Sequence, residues 1–113
     1  MVGVMGQRCP TLVKMDIEGA EVLALQGARR TFLSCRSIRL FIEYNPSSIE
    51  RLGYQAEMLL TLLRELRLEI TDIVDETRGG VLAYSPENLS RTLRHTTYCN
   101  LICQRREDSQ PTR

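Results

Sequence analysis

The sequence predicts an α/β fold with a largely parallel sheet and an antiparallel edge. Three observations lead there. Strand-like and helix-like segments alternate along the first two thirds of the chain, the pattern of βαβ units. The segment Ser37–Tyr44 (SIRLFIEY) carries Ile38, Leu40, Phe41 and Ile42, apolar on both faces, as for a central strand covered on both sides. Between Gln55 and Arg67 the apolar residues Met58, Leu59, Leu62, Leu63 and Leu66 recur at helical spacing.

The elements follow in order. Residues 1–10 read as a loop, because Gly3, Gly6 and Pro10 interrupt any periodicity. Thr11–Met15 reads as a short buried strand that ends at Asp16. Glu21–Gln26 is rich in helix formers, and Gly27 ends or kinks that helix before a further short turn over Ala28–Leu33. The Ser37–Tyr44 strand runs into Asn45-Pro46-Ser47-Ser48, a turn by composition. The amphipathic helix leads to a strand over Leu68–Val74, a turn at Thr77–Gly80 and a short strand over Val81–Tyr84. Ser85 and Pro86 have the form of an N-cap and first helical position for a helix over Pro86–Leu93. Thr97–Cys103 reads as the last strand, and the closeness of the final strands favours an antiparallel edge. One unit therefore spans residues 11–104, followed by a frayed polar tail over 105–113.

Composition bounds the function. The chain has 113 residues with a net charge of +1, from 15 Lys+Arg against 14 Asp+Glu. Nucleic-acid binding calls for a clustered cationic excess, which is missing; Arg29-Arg30 and Arg105-Arg106 read as solvated surface. No apolar run approaches the ~20 residues of a membrane span. The first ten residues lack the pattern of a signal peptide, so a cytoplasmic location is expected. Cys9, Cys35, Cys99 and Cys103 form no C-x-x-C pair and His95 is the lone histidine, so no zinc site is expected. The cysteines read as buried thiols, with Cys99 and Cys103 on one strand face, and not as a disulfide framework. His95, in a polar turn, reads as exposed.

The chemistry concentrates in Lys14-Met15-Asp16-Ile17-Glu18-Gly19-Ala20-Glu21, where a strand becomes a helix. Asp16 stands at the carboxyl end of its strand, the usual place for functional side chains in open α/β sheets. Glu18 and Glu21 are spaced to share the first helical turn. Gly19 permits a tight turn and close backbone approach. Acids at a helix start also serve as caps and dipole partners, so the pattern alone leaves a structural role equally open.

The same stretch, from Leu12 to Val22 with Leu25, Gly27 and Ala28, resembles the K-x-D-x-E-G-x-E signature of FkbM-type methyltransferases. Ile42-Glu43-Tyr44-Asn45-Pro46 resembles the family's next strand, which ends in a glutamate, and the leucine-rich helix also matches. The resemblance covers residues 11–75 well and extends loosely to about 104. It implies a Rossmann-like class I methyltransferase sheet, here the C-terminal half, with the first two strands in the places of the fourth and fifth. It implies S-adenosylmethionine-dependent O-methylation of a hydroxyl on a small molecule or carbohydrate. Asp16 and Glu43 are then the candidates for catalysis. Glu18, Glu21, Tyr44 and Asn45 are candidates for binding the acceptor, Glu18 and Glu21 alternatively for ordering the loop. No metal is expected. No G-x-G-x-G follows a strand, so the residues that grip the cofactor are expected to be missing, the isolated chain to be inactive, and an exposed sheet edge to favour self-association. The alternatives are a non-catalytic fragment or association module, and a hydrolase using Asp16 and Glu43.

Overall fold

The computed structural model describes residues 12–105. The loop expected at residues 1–10, with Thr11 and the tail from 106 onward, lies outside the described residues. The elements are β1 (Leu12–Met15), α1 (Glu21–Gly27), α2 (Arg29–Ser34), β2 (Arg39–Tyr44), α3 (Pro46–Arg51), α4 (Glu57–Glu65), β3 (Leu68–Asp75), β4 (Gly80–Ala83), α5 (Pro86–Leu93) and β5 (Cys99–Arg105). The strands form one sheet in the order β1-β2-β5-β3-β4.

The sheet is mixed. Only β1 and β2 pair in parallel; β2–β5, β5–β3 and β3–β4 are antiparallel. The expected parallel core is therefore corrected to one parallel pair. The cause is β5, which returns to lie between β2 and β3 and so separates two strands that run in the same sense.

Register divides the sheet into two unlike faces. Leu40, Ile42 and Tyr44 of β2 stand opposite Cys103, Leu101 and Cys99 of β5. All six join one buried cluster with Val22 and Leu25 of α1, Phe32 of α2, Ile49 of α3, Leu59, Leu62 and Leu63 of α4, and Leu89 of α5. The helices thus cover a single face. Each fully buried leucine of α4 stabilises that layer by about 1.5–3 kcal/mol. The opposite face carries Lys14, Phe41, Ile102, Gln104 and Glu69, exposed or half-exposed. Two expectations are corrected here. Among the described residues, β2 is covered by helices on one side, not both, and β1 ends the sheet with alternating exposure, not burial.

Asn45–Ser48 is also not a simple turn. Asn45 caps α3 by accepting from the Ser48 N–H at 3.2 Å, with Pro46 in the first turn. The expected Ser85 cap is present, accepting from the Asn88 N–H at 3.0 Å. Arg105 belongs to β5 and not to a tail. Its guanidinium donates to the carbonyls of Phe32, Cys35 and Leu66. Those oxygens lie at the ends of α2 and α4, where carbonyls lack intrahelical donors. Cys99 and Cys103 are buried free thiols on one face, raised to about 12 mainly by burial. Cys35 is disulfide-bonded, which corrects the expectation of a thiol there; spacing along the chain says nothing of approach in space. Cys9 lies outside the described residues.

Candidate functional site

The acid-rich junction is built by the end of β1, the loop 16–20 and the start of α1. Glu21 is 1% exposed despite its charge. Its carboxylate accepts from the Gly19 N–H at 2.9 Å and the Ile17 N–H at 3.0 Å, so it folds the loop back onto the helix start. Glu18 and Gly19 both take positive φ, 52° and 99°. Glu18 therefore lies in the turn before the helix and does not share its first turn with Glu21, because α1 begins only at Glu21. A Cβ at Gly19 would meet the Ser48 carbonyl oxygen at 2.5 Å. Only glycine satisfies both the backbone angle and this contact with α3.

Asp16 and Glu43 come together. Met15 pairs with Ile42, so the next residues, Asp16 and Glu43, are neighbours at the carboxyl ends of the parallel strands. Asp16 is exposed and Glu43 half-buried. Glu43 Oε1 is buried with no donor to accept from. The neighbour it does have is the Asp16 carboxyl. Two carboxyls form a hydrogen bond only when one of them holds a proton. Burial, then that hydrogen bond, then the charges of Asp16, Glu21 and Glu18 raise Glu43 from 4.5 to about 7.

Tyr44 and Asn45 are placed elsewhere. Tyr44 is 4% exposed in the helix-covered core, on the opposite face from Glu43, and burial lifts its hydroxyl to about 12. Asn45 uses its side chain to cap α3. His95 is exposed beyond α5.

Sequence reasoning missed three residues near the pair. Asn100 stands directly opposite Glu43 in the β2–β5 ladder. Tyr98 donates to Glu76 Oε1 at 3.3 Å, and that bond, with lesser help from the charges of Glu43 and Asp16, raises its hydroxyl. A lone polar residue in the apolar run Cys99–Cys103 was a signal for Asn100. Nothing in the sequence links Tyr98 or Glu76 to residues far back along the chain.

Among the described residues, a cavity of about 260 Å³ beside α4 and one of about 210 Å³ beneath α5 both lie away from the junction. Among the described residues no three His, Cys, Asp or Glu side chains could hold a metal ion. Nor is any helix there long and apolar enough to cross a membrane.

These features define an α/β protein with carboxyls gathered where two parallel strands end. The profile of the methyltransferase FkbM domain matches residues 3–70, from the first glycine through the start of β3. The chain belongs to the FkbM methyltransferase family. No curated protein and no solved structure matches it. Tyr98 and Asn100 fall beyond the matched stretch.

Proposed function

We propose that the Asp16–Glu43 junction is the acceptor side of an O-methyl-transfer site that works on a hydroxyl group. The observation that carries this is the Glu43 carboxyl, half-buried at a strand end and raised to about 7 beside Asp16. A general base works best with a pKa near the working pH. Glu43 takes the proton of the acceptor hydroxyl, and Asp16, sharing that proton, holds the carboxyl in place. Glu18, exposed in the turn, is free to meet further hydroxyls of the acceptor. Glu21 orders the loop that presents them.

S-adenosylmethionine is the donor that family membership suggests, and it would supply an electrophilic methyl group. The described residues do not fit a grip on it. The N–H groups of Ile17 and Gly19 at the head of α1 are already taken by Glu21, and Ser48 closes the space over Gly19. We therefore derive no step through the cofactor. The sheet supports the Rossmann-like class I assignment in one respect: β1, β2 and β3 run in the same sense, with β5 reversed between the last two.

Calorimetric titration of S-adenosylmethionine into the purified chain tests this division of labour. We expect no binding tighter than about 1 mM, a free energy weaker than about −4 kcal/mol. Micromolar binding would show that the chain holds the cofactor unaided.

A further inference from the structure

The end of the sheet away from the acids is cationic. β2 begins at Arg39, whose cross-strand partner is Gln104, one residue before Arg105. Arg36 and Ser37 lie in the turn that enters β2. Together with Ile38 these residues line a cavity of about 330 Å³. Small-molecule sites typically enclose about 300–1,000 Å³.

The three arginines are short of negative charge. Among the described residues none of them forms an ion pair. Arg105 donates to carbonyl oxygens, which carry only partial charge and leave its own charge uncancelled. Its burial and the charge of Arg67 both work against the cation. Glu69 stands opposite Gln104 on β3, yet it does not line the cavity. Clustered like charges repel, and a bound anion relieves that cost.

We infer that Arg36, Arg39 and Arg105 form a binding site for a phosphoryl group, either on a small molecule or as the free ion. A guanidinium fork meets phosphoryl oxygens with two N–H groups at once. Arg36 and Arg39 are exposed and have such forks to offer. Arg105, already held by the carbonyls at the ends of α2 and α4, contributes fixed charge. Ser37 and Gln104 add a hydroxyl and an amide that can donate to the remaining oxygens. The cluster is too short to track the backbone of a nucleic acid. Arg39 and Glu43 lie about 13 Å apart along β2, so methyl transfer and anion binding stand or fall separately.

The test is a calorimetric titration of pyrophosphate into the full chain, with NMR of the arginine Nε–H signals. We expect saturable binding with a Kd below about 1 mM, and signals of Arg36 and Arg39 that shift together. Arg36→Gln and Arg39→Gln should each weaken binding about 10-fold, the loss of hydrogen bonds from a charged donor. Arg36→Lys and Arg39→Lys should recover only part, since an ammonium lacks the fork. If a variant folds poorly, the wild-type shifts at Arg36 and Arg39 decide the matter. No saturation up to about 10 mM, or Gln variants that bind as well as the wild type, overturns the site. Inorganic phosphate and glycerol 3-phosphate, titrated in the same way, separate the two sources. Tighter binding of the ester upholds the site with an organic phosphate as its ligand; tighter binding of the ion upholds it with free phosphate. A mixed-sequence oligonucleotide that binds more tightly than pyrophosphate overturns the small-ligand class.

Discussion

Glu21 and Glu43 show how one residue type serves two ends. Glu21 is buried and satisfied by two backbone donors, whereas Glu43 has a buried oxygen with none. The second situation makes stability depend on pH. Glu43 is raised in the folded state from 4.5 to about 7, so the fold favours its neutral form. That contribution is complete below 4.5 and is lost as pH rises through 7. Urea midpoints of the wild type should therefore fall over this interval relative to those of Glu43→Gln; parallel pH profiles would contradict the shift. Asp16→Asn should return Glu43 only part of the way, since burial is the larger cause. Cys99 and Cys103, raised to about 12, should resist alkylation until the protein is unfolded. The placement of Asp16 and Glu43 near the carboxyl ends of β1 and β2 was legible because the end of an apolar run marks the end of a strand. The role of Tyr44 was not, because alternation assigns a residue to one of two faces without saying which face the helices cover.

At the scale of elements, two local devices hold the layers in register. Gly19 lets the loop after β1 pass against α3, and a methyl group there meets backbone rather than a movable side chain. Gly19→Ala combines a strained positive φ with that clash and should cost more than about 2 kcal/mol by thermal or chemical unfolding. Arg105 ties the ends of α2 and α4 to β5 through three carbonyls. Its burial and the charge of Arg67 work against the cation, lowering its pKa, so the bonds to those carbonyls must outweigh the desolvation. Arg105→Met should destabilise by about 2–4 kcal/mol, and Arg105→Lys should recover only part, since an ammonium lacks the planar fork. Caps and helices were readable from Ser85-Pro86 and the leucine spacing of α4. Asn45-Pro46 carried an equally good cap signal for α3, yet the same residues also favour turns. The irregularity in β3 between Ile70 and Asp72 left no periodic trace, although it brings Ile70 and Ile73 to one face.

Across the whole molecule, strand order was the part the sequence could not supply. Alternating elements suggested parallel neighbours, but nothing local tells β5 to insert between β2 and β3 instead of adding at the edge. That insertion gives β2 and β5 partners on both sides and leaves β1 and β4 at the ends. Helices on one face only then make adjacent residues of β2 unequal. Leu40 is 0% exposed in the helix-covered core. Phe41, the next residue, is half-exposed on the other face, with the Lys14 ammonium 5.8 Å from its ring centre. If the layering is one-sided, Leu40→Ala should cost about 3–5 kcal/mol, the range for a filled core position. Phe41→Ala should cost about half that or less despite removing the larger side chain, because its ring is in part solvated already. Denaturant unfolding of the two variants side by side measures the difference. Equal losses would mean that both faces of β2 are packed.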